Sequence, residues 1–124
     1  MLTTSDVVAF AATTDLSRAR TFYETALGLR LVEENPFACV FDAHGTMLRV
    51  TPVAEVARAG YTVLGWRVDD ISQTVTGLES RGVVFSRFDN VQQDAQGVWS
   101  APNGDRVAWF TDPDGNVLSL TEYR

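Results

Sequence analysis

The chain has 124 residues, 45% hydrophobic and 21% charged, with a formal net charge of −6. That length supports one domain with a genuine core, and the ordinary composition argues against disorder. No apolar run approaches the roughly 20 residues of a membrane span, no basic stretch followed by an apolar block marks a signal peptide, and ten scattered basic residues provide no face for a nucleic acid.

In chain order, Val7 to Thr14 is a β-branched and apolar run that reads as a strand. Asp15 follows as a helix N-cap, its carboxylate suited to the free N–H groups of a first turn. Leu16, Ala19, Phe22, Tyr23, Ala26 and Leu27 then recur at helical spacing, and Gly28 sits where a left-handed C-terminal cap is expected. A second strand is predicted over Leu29 to Glu33. Phe41 to Thr51 reads as a hairpin of two apolar runs around a glycine turn at Gly45. Pro52 to Gly60 is a linker.

The pattern then repeats. Thr62 to Asp69 is a second strand-like run, Asp70 a second cap, Ile71, Val75 and Leu78 a second helical stripe, and Gly82 its stop. A strand is predicted over Val83 to Phe88, then a long polar loop over about 89–105. Thr111 to Thr121 is a hairpin with Asp112, Gly115, Leu118 and Thr121 identical to Asp42, Gly45, Leu48 and Thr51 of the first. The predicted class is α+β, one domain of two βαβββ modules: module one about 1–52, linker 53–60, module two about 61–124. Each helix covers one face of its sheet, so two curled mixed sheets are expected to leave their other faces around a cleft.

The runs Asp15-Leu-Ser-Arg-Ala-Arg-Thr-Phe-Tyr-Glu-Thr-Ala-Leu-Gly-Leu29 and Trp109-Phe-Thr-Asp-Pro-Asp-Gly-Asn-Val-Leu-Ser-Leu120, in this order and with the repeat, resemble the vicinal oxygen chelate superfamily. That group includes glyoxalase I, bleomycin-resistance proteins, fosfomycin-resistance thiol transferases, extradiol dioxygenases and methylmalonyl-CoA epimerase. The resemblance covers essentially the whole chain. It implies paired βαβββ modules around a ligand cavity and a homodimer, side by side or with modules exchanged.

The resemblance also implies where metal ligands would stand: seven residues before each capping aspartate, and four beyond each hairpin glycine. Those positions hold Val8, Val63, Arg49 and Ser119. Valine has no lone pair, and a guanidinium is always charged and accepts nothing, so no metal and no other cofactor is expected. The one histidine, His44, falls in a turn. The one cysteine, Cys39, excludes an intrachain disulfide, suits a cytoplasmic location, and reads as buried and inert because no base accompanies it.

Strand alternation from these four positions predicts the rest of the cleft lining. Phe10 accompanies Val8, and Met47 and Thr51 accompany Arg49. Pairing across the first turn then places Phe37, Cys39 and Phe41 on the same side. Tyr61, Gly65 and Arg67 accompany Val63, and Trp109 and Val107 lie opposite Ser119. Trp99 is a candidate lid in the long loop. The predicted ligand-binding set is Phe10, Phe37, Phe41, Arg49, Tyr61, Trp99, Trp109 and Ser119, with no assigned catalytic residue.

Three functions fit. The first is a metal-independent small-molecule binding protein of the bleomycin-resistance type, holding an aromatic or amphipathic ligand. The second is a glyoxalase-like lyase or dioxygenase-family enzyme, which would need an acid or base not evident on those strands. The third is an interaction module whose aromatics fill a plain core or a dimer interface. Arg49 serves as an anion reader or as half of a structural ion pair.

Overall fold

Two aspartates start the helices. Asp15 and Asp70 are extended residues whose carboxylates accept from Arg18 N at 3.1 Å and Gln73 N at 3.0 Å. Such caps contribute about 1 kcal/mol each. The computed structural model describes residues 1–124. The elements run β1 (Val8–Thr13), α1 (Leu16–Arg20) continued by a π-helical stretch (Thr21–Ala26), β2 (Arg30–Asn35), β3 (Ala38–Ala43), β4 (Thr46–Pro52), β5 (Leu64–Arg67), α2 (Ile71–Glu79), β6 (Trp99–Ser100), β7 (Arg106–Thr111) and β8 (Val117–Glu122). The class is α+β, and the chain divides into two compact units, Met1–Ala57 and Arg58–Arg124.

Each unit holds one open, four-stranded mixed sheet. The order is β1-β4-β3-β2 in the first and β5-β8-β7-β6 in the second, with β1/β4 and β5/β8 parallel and the other pairs antiparallel. This is the βαβββ plan, twice.

In the first unit the helical stripe departs from a plain α-helix after one turn. Leu27 N donates to Phe22 O at 3.0 Å, a spacing of five residues, so the helix is widened over this stretch. Tyr23 is thereby fully buried against Phe41, with ring centroids 5.9 Å apart, while Phe22 stays half-buried. Ala19, Leu48, Val50, Ala11 and Cys39 complete the helix-facing core. The β3–β4 turn is a two-residue loop in which His44 (φ 50°) and Gly45 (φ 92°) are both left-handed, the geometry that suits the twist of a tight hairpin.

The second unit keeps a regular α2. Its Ile71 and Val75 pack with Phe110, Leu118, Leu120 and Phe85, all buried. The strand expected over 83–88 does not form. Phe85 makes a single bridge to Phe110, and Ser86 N reaches Trp109 O at 2.7 Å. Beyond this point the Gln93 side chain replaces the ladder: its Nε2 donates to Ser86 O, and its Oε1 accepts from Phe88 N. The edge of the sheet is completed instead by β6, contributed from the predicted loop.

That loop is well tied. Arg87 donates to the carbonyls of Asp94 and Ala95, Asp94 Oδ1 accepts from Gln96 N and Val98 N, and the Gln96 amide bonds to Ser72 and Thr76 of α2. The second hairpin is longer than the first, and buried Asp112 organises it. Its carboxylate accepts from Asp114 N, Asn116 N and Asn116 Nδ2 at 3.0, 3.0 and 2.7 Å.

Candidate functional site

One face of each sheet is covered by its own helix, and the predicted site residues divide between the two faces. In the first unit, register places Phe10, Arg49 and Val40 in one row across β1, β4 and β3, and Val8, Met47 and Asp42 in the next. These side chains point away from the helix. Phe10 is 60% exposed, and Val8 and Met47 are also exposed. Arg49 is half-buried and joins no ion pair, so the structural-pair alternative is not realised. A shallow recess of about 340 Å³ lies on this face, bordered by Val8, Val32, Val40 and Met47, with Arg30 and Asp42 at its margin. Arg30 and Asp42 approach each other at 3.4 Å.

Two predicted cleft residues of this unit lie on the helix side instead. Phe41 pairs with Leu48, and Cys39 with Val50, so both are fully buried in the core rather than beside Arg49. Cys39 Sγ contacts Leu16 O at 3.8 Å, and burial pushes its thiol pKa up. Val40, between Cys39 and Phe41 in the strand, shares the open face with Arg49. The tight His44–Gly45 turn sets Ala43 against Thr46. That register is one residue from the one expected, and a one-residue shift reverses every side chain. Phe37 sits in the β2–β3 turn, 76% exposed, where Asn35 Oδ1 accepts from Phe37 N and Ala38 N.

The second unit follows its expected alternation. Gly65, Ser119 and Trp109 form one row across β5, β8 and β7, and Arg67, Thr121, Val107 and Trp99 form the next. Leu64, Trp66, Ala108, Phe110, Leu118 and Leu120 point to the helix side. Trp99 is an edge-strand residue here, not a loop lid, with its ring centroid 6.2 Å from that of Trp109. Phe88, which sequence reasoning did not single out, stands edge-on to Trp109 at 5.6 Å. Tyr61 precedes β5 and is exposed.

Gly65 keeps this face open. A Cβ there would lie 2.9 Å from Ser119 Oγ, too close without a shift. Together with Trp66, Arg67, Ser119, Thr121 and Tyr123, Gly65 borders a recess of about 330 Å³.

The positions at which the resemblance implies metal ligands are now placed. Val8 and Arg49 share the open face of the first sheet. Ser119 lies on the open face of the second, and Val63 N donates to Val117 O beside it. Two alkyl groups, a guanidinium and one hydroxyl do not fit a divalent cation. No group of three or more His, Cys, Asp and Glu side chains suited to a metal is gathered elsewhere. No helix is long and apolar enough to cross a membrane.

Solved structures share this architecture from end to end. TioX from Micromonospora sp. ML1 matches with a TM-score of 0.74 at 23% identity, over 97% of this chain and 99% of that one. A member of the glyoxalase/bleomycin resistance protein/dioxygenase superfamily from Sphaerobacter thermophilus DSM 20745 matches at 0.71 and 25% identity, over 94% and 97%. Lactoylglutathione lyase from Agrobacterium tumefaciens matches at 0.69 and 21%, over 95% and 93%. No curated protein matches the sequence. The sequence profile of one family matches residues 6–120, and the chain belongs to the Glyoxalase/Bleomycin resistance protein/Dioxygenase superfamily.

Proposed function

We propose that the protein is a metal-independent small-molecule binder of the bleomycin-resistance type, taking an aromatic or amphipathic ligand on its open sheet faces. The carrying observation is the aromatic cluster of the second unit. Trp109 is flanked by Trp99 and Phe88 on a face that its own helix leaves uncovered. Aromatic rings on a rigid sheet offer large apolar contact at little entropic cost, with polar groups nearby to orient a ligand. The first unit adds Phe10 and Arg49 on its own open face. A homodimer in a reducing, cytoplasmic compartment belongs to the same reading, the partner being a second copy of this chain.

Calorimetry and tryptophan quenching with neutral, cationic and carboxylate-bearing naphthalenes test the proposal. Binding is expected, and Trp109→Ala should weaken it on the order of tenfold, the scale of one lost aromatic contact. Absence of heat with all three probes overturns the proposal. The alternative, a glyoxalase-like lyase or dioxygenase, gains ground only if elemental assay of the purified protein finds stoichiometric Zn, Ni, Mn or Fe.

A further inference from the structure

Sequence reasoning places Arg67 on the open face of the second sheet without giving it a task, and the structure surrounds it with one. Its guanidinium carbon lies 5.5 Å from the centroid of the Tyr123 ring, a cation–π contact that limits the freedom of an otherwise flexible side chain. No carboxylate pairs with it: the ion pairs of this unit engage Arg106 with Asp94 and Glu122. Arg67 and Tyr123 border the same recess as Ser119 and Thr121, and neither of these hydroxyls is tied to another group of the chain. Gly65 holds the recess open beside Ser119 Oγ.

We propose that Arg67, steadied by Tyr123 and joined by the hydroxyls of Ser119 and Thr121, reads the carboxylate of an aromatic acid whose ring lies on Trp109. This rests on the binding function proposed above and names its ligand class. A guanidinium offers two parallel N–H groups to a carboxylate, and each hydroxyl donates one more hydrogen bond to the same oxygens. The recess contains a single cation, and this favours a monoanion over a phosphate dianion.

Trp109 is adjacent to Ser119, and Arg67 lies on the far strand of the same three. Arg67 stands one row further along, so two strand spacings and two residues of rise set the two Cα atoms about 12 Å apart. A bicyclic aromatic acid has the reach to touch both. The acidic surface of the chain opposes this little, because exposed charge is screened beyond about 8–10 Å in physiological salt.

The test compares 2-naphthoate with neutral 2-naphthamide on the full chain, read by tryptophan quenching and calorimetry. The acid should bind on the order of tenfold more tightly, the scale of one charge-assisted hydrogen-bond pair. Arg67→Met should bring the two affinities together, Ser119→Ala should weaken the acid several-fold, and Arg81→Met, on the exposed end of the segment after α2, should change neither. Circular dichroism of Arg67→Met checks that its fold is intact, as an exposed site allows. Equal affinity for acid and amide in the unaltered chain overturns the inference and leaves the binding function standing. So does an acid preference that survives Arg67→Met. If neither probe binds, the inference falls, and the binding function falls with it only if the cationic naphthalene also fails to bind.

Discussion

The two units start from one plan and differ most at their outer strand. In the first, the six residues of β2, Arg30–Asn35, run along β3 with one irregularity between Leu31 and Glu33. In the second, the same edge is shared by a one-residue bridge at Phe85 and the two residues of β6, with a tied loop between them. The central strands hardly differ in kind, and both helices start from an aspartate cap. A sheet's centre is fixed by packing on both neighbours and on the helix, whereas an edge needs only that its backbone groups find some partner. In the second unit Gln93 and Arg87 supply those partners from side chains.

The largest effect should come from the part the units share. Phe41→Ala and Phe110→Ala each remove a fully buried ring from the helix-facing core, and each should cost about 3–5 kcal/mol in urea unfolding. Similar costs would support equivalent cores, and a loss below 1 kcal/mol at either would break the equivalence.

The hairpin aspartates should then separate the units. Asp112 is buried with three acceptor bonds, and its replacement by alanine strands those donors, at about 2–3 kcal/mol. Asp42 is half-buried, accepts from Gly45 N at 2.9 Å and meets the exposed Arg30, so Asp42→Ala should cost under about 1 kcal/mol. Equal values would mean that the longer turn gains nothing from its network.

The smallest expected effect is local. Gln96→Ala should leave urea unfolding within about 0.5 kcal/mol while hydrogen exchange of Asp94, Gln96 and Val98 amides accelerates, because the loop loses its tie to α2. Unchanged exchange would show that Arg87 and Asp94 hold the loop unaided.

Legibility in the sequence follows the same division. Caps, helices, hairpins and the repeat were readable because each carries a local signal: an aspartate before an apolar stripe, or a glycine that must be left-handed. The faces of β5, β7 and β8 were also readable, because their alternation is unbroken. The face of β3 was not. Register there depends on the number of residues in the turn, and Ala43-His44-Gly45-Thr46 had to be recognised as a two-residue loop with histidine in a left-handed conformation. Reading it so would have placed Phe41 in the core and Val40 beside Arg49.

The widened helix after Arg20 was hidden because over six residues its period barely differs from that of an α-helix. Phe88 and the partnership of Arg67 with Tyr123 were hidden because each depends on a contact between distant parts of the chain, which spacing alone does not report.

The segment between Ser86 and Trp99 leaves the strand Arg106–Thr111 and returns to it, with Ser86 bonded at Trp109 and Trp99 placed against Val107. Its two ends are therefore anchored on neighbouring rungs, whatever lies between. Doubling the intervening length would add only about 0.6 kcal/mol of closure entropy. This makes it a splice point at which lineages, or protein engineers, can exchange what stands next to the indole rings while the rest of the architecture keeps its alignment.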